Sequence, residues 1–140
     1  MERARFQEYI DRFNAEDATA FDDFLEPDVV VVNGTLELPG VQGMKDHYAR
    51  IWGSFREVLD VGRYVTDGES IAIEMKTAFL ALRDDPDSTF GPVRAGERFD
   101  FDGLILYTLR GGRFATIRVA YNSFAFTGLD GVRRELGIPH

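Results

Sequence analysis

The feature that most constrains this chain is the order of its hydrophobic periodicities: helical spacing as far as Phe55, broken once by a valine run, and strand patterning afterwards. Phe6, Tyr9, Ile10 and Phe13 recur at spacings of three and four and predict a first helix with Tyr9 on its inward face. Asp17 is a plausible N-cap for a second helix striped by Phe21, Phe24 and Leu25, which Pro27 is expected to stop. Val29 to Val32 lack alternation and predict a short strand covered on both faces. Residues 34–43 read as a loop. Met44, Tyr48, Ile51 and Phe55 then form a third helical stripe, with Trp52 beside it and His47 flanking it.

The remainder reads as strands and turns. Residues 57–66 and 70–82 are two strands joined at Asp67-Gly68, a hairpin dipeptide. Residues 83–96, with Asp84-Asp85-Pro86-Asp87 and Gly91-Pro92, read as a long hairpin loop and as the segment most expected to be mobile. Residues 97–109 and 113–126 are the last two strands, joined at Gly111-Gly112. The tail to His140 is expected to form a short helix at 129–136. Three helices followed by consecutive strands define an α+β chain, and its 140 residues and absence of repeats point to one domain spanning 1–140.

Charge and composition narrow the function classes. Twenty-four acids against sixteen bases give a net charge of −8, which opposes nucleic acid and anionic membrane surfaces as partners. There is no cysteine, so thiolate chemistry is excluded. The charged N-terminal residues and the lack of a long apolar run predict a cytoplasmic protein. Two histidines, one of them His140, do not make a metal cluster of usual spacing. No phosphate-binding glycine loop, dinucleotide fingerprint or Gly-x-Ser-x-Gly elbow occurs, and no cofactor is expected.

Three segments carry a family resemblance: Tyr9-Ile-Asp-Arg-Phe-Asn14-Ala-Glu-Asp17, Gly43-Met-Lys-Asp-His47-Tyr48-Ala-Arg-Ile51 and Leu106-Tyr107-Thr-Leu-Arg-Gly-Gly112-Arg113-Phe114. Together they resemble the nuclear transport factor 2-like superfamily, closest to its SnoaL-like polyketide cyclases and ketosteroid isomerases. The resemblance implies a cone-shaped, curved, mostly antiparallel sheet wrapped around three N-terminal helices, a pocket inside it and a homodimer formed through the outer sheet face. It also implies that Tyr9 stands where the isomerases place an oxygen-binding Tyr. Their proton-shuttling Asp corresponds to Asn33 here, and their protonated Asp falls near Leu104, two residues after Asp102. The acid that the cyclases carry in the last strand is missing from Thr116-Ile-Arg118-Val-Ala-Tyr121-Asn122, and the Arg and two Asp residues of limonene epoxide hydrolase are incomplete.

The candidate catalytic residues are therefore His47, Asp102 and Tyr9, and the candidate substrate-binding residues are Asn33, Trp52 and Tyr121. Each has a structural alternative: Tyr9 as a core Tyr, Asn33 as a strand-ending turn residue, His47 satisfied by Asp46 or Glu37, Asp102 on a solvated face with Asp100, and Trp52 and Tyr121 as packing. Two functions follow. One is a cofactor-free isomerase, cyclase or dehydratase acting on a small apolar carbonyl or polycyclic compound. The other is a non-catalytic binding or assembly domain using the same pocket or sheet face.

Overall fold

The computed structural model describes residues 1–138. Helix α1 (Arg3–Asn14) buries Phe6, Tyr9, Ile10 and Phe13, the four residues of its stripe. At the start of α2 (Thr19–Phe24), the Asp17 carboxylate accepts both the backbone N–H of Thr19, at 3.0 Å, and its hydroxyl, at 2.5 Å. This helix ends before Pro27, because Leu25 already enters strand β1 (Leu25–Asn33). Pro27 falls in the stretch where β1 slips register between Leu25 and Val30, where no ladder N–H is required of it. The valine run alternates: Val29 and Val31 are buried, while Val30 is 41% exposed, so one face of this strand is not covered.

Strand β2 (Leu36–Pro39) pairs antiparallel with β1 and replaces part of the expected loop, and α3 (Gly40–Ser54) starts four residues before Met44. The long strands β3 (Phe55–Thr66), β4 (Ser70–Ala81), β7 (Arg98–Arg110) and β8 (Arg113–Thr127) lie close to expectation. Phe55 belongs to β3, not to the helix. Within 83–96 lies a separate hairpin of β5 (Asp85–Ser88) and β6 (Gly91–Val93). The tail adds β9 (Arg133–Glu135) to β8 in place of the expected helix; residues 139–140 lie outside the described residues.

The main sheet runs β2-β1-β8-β7-β4-β3, antiparallel except for β1 against β8, with β9 also on β8. It is mixed, mostly antiparallel and not closed. Register shifts at 61/64 in β3 and at 102/103 between β7 and β8 bend it over the helices, as bulges do. The concave face carries Phe99, Phe101, Ile105 and Tyr107 from β7 and Phe114 and Ile117 from β8. Ile105, Tyr107, Phe114 and Ile117 pack with α1 and α2 into one core; Ile51, Phe55, Phe79, Val93, Phe99 and Phe101 form a second toward the β5–β6 end. No helix among the described residues is long and apolar enough to cross a membrane.

Candidate active site

Strand alternation decides which polar residues face inward. In Phe55-Arg56-Glu57-Val58-Leu59, the buried Phe55 and Leu59 flank Glu57 two residues away on each side, so its side chain must enter the concave face. Glu57 is 3% exposed. Two residues on, the Asn14 amide clamps the end of α1 to β3: its Nδ2 donates to the Leu59 carbonyl at 2.9 Å, and the Leu59 N–H donates to its Oδ1 at 2.8 Å.

Glu57 opens onto a partly open cavity of about 160 Å3 between α3 and the sheet. Asn33 from β1, His47 and Tyr48 from α3, Thr77 from β4 and Tyr121 from β8 share its lining, and Ile51, Leu59, Phe79, Phe101 and Ile105 supply apolar walls. The Asn33 amide Nδ2 donates to the Tyr121 hydroxyl oxygen at 2.8 Å. Tyr121 can thus offer its own hydroxyl proton to a ligand in the cavity.

The electrostatics separate the two proton carriers. Glu57 Oε1 is fully buried and has no hydrogen-bond partner. Burial, reinforced by the nearby charge of Glu16, pushes the Glu57 carboxyl up to about 8 from an ordinary 4.5. Burial, with Glu57 and the neighbouring tyrosines adding to it, pushes the Tyr48 hydroxyl well above its ordinary range. Tyr121 is also raised by burial, against the opposing hydrogen bond from Asn33. His47 moves the other way: burial, and then the nearby Arg50 charge, lower it below 6.5. Its ring stands edge-on to Tyr48, with centroids 4.9 Å apart. At neutral pH the cavity therefore holds a carboxylic acid and a neutral imidazole, the pairing by which differing environments assign an acid and a base.

Of the sequence candidates, the fold brings His47, Asn33 and Tyr121 to this cavity. Tyr9 stays outside its lining, 4% exposed in the core, with ring centroids 5.0 Å from Phe114 and 5.4 Å from Phe24. Trp52 sits behind Tyr48, stacked on Phe21 at 6.1 Å, its buried indole N–H without a partner. Asp102 falls on the convex face, because the inward Phe99 and Phe101 fix the parity of β7; it pairs in register with Lys76 and lies beside Asp100. Glu57 was the residue sequence reasoning missed, although its signal was present in the flanking Phe55 and Leu59.

The sequence model of the SnoaL-like domain matches residues 6–117. The chain belongs to the SnoaL-like family. No curated protein sequence matches this SnoaL-like domain. Among solved structures, a candidate polyketide cyclase of Xanthomonas campestris pv. campestris is 23% identical, with TM-score 0.71 over 84% of this chain and 87% of that one. A candidate polyketide cyclase of Pseudomonas putida KT2440 is 24% identical, with TM-score 0.68 over 88% of each chain. An LEH-like epoxide hydrolase of M. tuberculosis is 18% identical, with TM-score 0.67 over 84% of this chain and 79% of that one. At these identities the likeness is one of fold, and it agrees with the expected nuclear transport factor 2-like architecture.

Because Tyr9 lies outside the lining, Tyr9→Phe is expected to change stability by about 1 kcal/mol or less and to leave ligand affinity unaltered. Chemical denaturation and calorimetric titration check this. A tenfold loss of affinity, about 1.4 kcal/mol, would return Tyr9 to the site.

Proposed function

We propose that this SnoaL-like domain is a cofactor-independent enzyme that moves a proton on a small, largely apolar carbonyl compound of about one ring. The observation that carries the reading is Glu57: a carboxyl with an unpartnered oxygen, in an apolar cavity that also holds a hydrogen-bonded Asn33–Tyr121 pair. Burying such a group costs stability, and a domain that merely holds an apolar ligand gains nothing from it. The cavity volume also sets the size class. A void of roughly 150 Å3 accommodates one benzene-sized ring, so the 160 Å3 present matches a ligand portion of about one ring.

In this reading the protonated Glu57 carboxyl and the Tyr121 hydroxyl, the latter held by Asn33, donate hydrogen bonds to the substrate oxygen. The neutral His47 imidazole removes a proton from the carbon next to the carbonyl. The electron pair moves through the enol system toward oxygen, where the two donors stabilise the developing charge. His47 then returns the proton to the far carbon of the conjugated system. The sum is an isomerisation in which one C–H bond breaks, another forms and nothing is oxidised. The exposed Leu104 and Leu106 on the convex face support the expected pairing of two copies through that face.

Conversion of cyclohex-3-enone to cyclohex-2-enone, with deuterium exchange of the α-hydrogens, tests the reading. The rate is expected to rise with pH through a His47 value below 6.5 and to fall through the Glu57 value of about 8. His47→Ala should remove the rising limb. A protein that catalyses neither exchange nor isomerisation, or whose profile is flat between these values, contradicts it.

A further inference from the structure

The cavity is closed on one side by a structure that the main sheet does not include. The β5–β6 hairpin forms its own two-stranded sheet, and its tip, Thr89-Phe90, reaches the cavity lining. Phe90 sits among five aromatic rings, with centroids 4.8 Å from Phe99, 5.0 Å from Phe79, 5.3 Å from Phe55, 5.6 Å from Phe101 and 6.2 Å from Phe124. On the far side of the tip lies a more polar groove of about 510 Å3, bordered by Arg50, Ser54, Arg83 and Asp85. Thr89 borders both spaces, and Phe90 borders the cavity alone.

The base of the hairpin is anchored independently of the tip. The buried Ser54 hydroxyl, at the end of α3, donates to the Asp85 carboxylate at 2.5 Å, and Arg83 Nη2 lies 3.4 Å from the same oxygen. At the tip, the Ser88 hydroxyl donates to the Gly91 carbonyl, and the Phe90 N–H donates to Ser88 Oγ at 3.2 Å. The turn is thus fixed by its own backbone and by Ser88, and none of these hydrogen bonds involves the Phe90 ring.

We propose that Phe90 determines ligand size: its ring ends the cavity after one ring of substrate, and the groove beyond the tip is the space into which a longer ligand would extend. The proposal rests on the cavity being the ligand site, and does not depend on Glu57 being the acid. Removing the Phe90 ring frees about the volume of one aromatic ring, the difference between a one-ring and a two-ring ligand.

The probes are phenol and 2-naphthol, followed by calorimetric titration of the wild type, Phe90→Ala and Phe90→Leu, with circular dichroism to check folding. The wild type should bind phenol and discriminate against 2-naphthol. Phe90→Ala should shift the 2-naphthol to phenol preference by at least about tenfold, with a smaller shift in Phe90→Leu, which also carries the test if the alanine variant does not fold. No shift in either variant, equal binding of both probes by the wild type, or binding of neither probe by any of the proteins would overturn the proposal. The outcome separates from that of the proton-transfer reading: the size preference should persist in Glu57→Gln, and the bell-shaped rate profile would persist if Phe90 proved irrelevant to size.

Discussion

Glu57→Gln is expected to slow proton transfer by about 10²- to 10⁴-fold and, at the same time, to make the folded protein more stable at neutral pH. The stability gain follows from the raised carboxyl. Below about pH 4.5 Glu57 is protonated in both the folded and the unfolded chain and contributes no pH dependence. Between 4.5 and about 8 the unfolded chain releases the proton while the folded chain retains it, so stability falls as pH rises. Above about 8 both states are ionised and the loss is complete. At pH 7 the loss is on the order of 3 kcal/mol, from 1.36 kcal/mol for each pH unit between the two ionisations. Glutamine has nearly the shape of the protonated acid and does not ionise. The variant should therefore match the wild type near pH 4.5 and exceed it progressively up to pH 8. Urea denaturation across this range and initial rates at pH 7 check the two halves separately. A variant that loses stability at neutral pH would mean that the carboxylate is partnered and ionised in the fold.

Gly103→Ala is expected to cost about 3 kcal/mol or more and to displace Tyr121. Gly103 lies on the concave face of β7, opposite Tyr121 and next to the register shift that leaves Asn122 unpaired. A methyl group there would collide with the backbone carbonyl of Ala120 and come within 2.9 Å of the Tyr121 Cα. Both obstacles are backbone, which cannot rotate aside as a side chain can, so β7 and β8 must part. Overpacking of a relaxable core costs about 1–3 kcal/mol, and this site lies at or beyond that upper limit. The displacement moves the hydroxyl that accepts the Asn33 amide at 2.8 Å, so ligand affinity should fall together with stability. Thermal denaturation and phenol titration check both. A stable variant with unchanged affinity would show that the bulge does not set the position of Tyr121.

The parts of the fold legible in the sequence were those with sustained periodicity. Phe6 to Phe13 and Met44 to Ile51 repeat over enough turns to fix a buried helix face, and the hairpin at Asp67-Gly68 is set by its turn chemistry. The short strands were hidden because four residues such as Leu36 to Pro39, or an Asp- and Pro-rich run such as Asp85 to Ser88, carry too little pattern to stand apart from loop. At the tail, the short helix expected at 129–136 does not form: Leu129, Val132 and Leu136 are exposed, and backbone pairing of β9 with β8 decides the outcome. The cavity lining was legible at Asn33, which ends an apolar strand, at His47, which flanks a helical stripe, and at Tyr121 in the last strand. It was not legible at Glu57, because a glutamate at the start of a strand ordinarily faces water. Parity would have found it: the reasoning that sends Glu57 inward between Phe55 and Leu59 sends Asp102 outward beside Phe101.

The central claim, that Glu57 is a carboxylic acid held neutral inside the fold, is tested most directly by following its side-chain carboxyl 13C resonance in selectively labelled protein through a pH titration, with Glu57→Gln assigning the signal. The expected midpoint is about 8. A midpoint near the ordinary 4.5 would contradict the account and would leave the cavity with an ionised carboxylate and without its carboxylic acid at neutral pH.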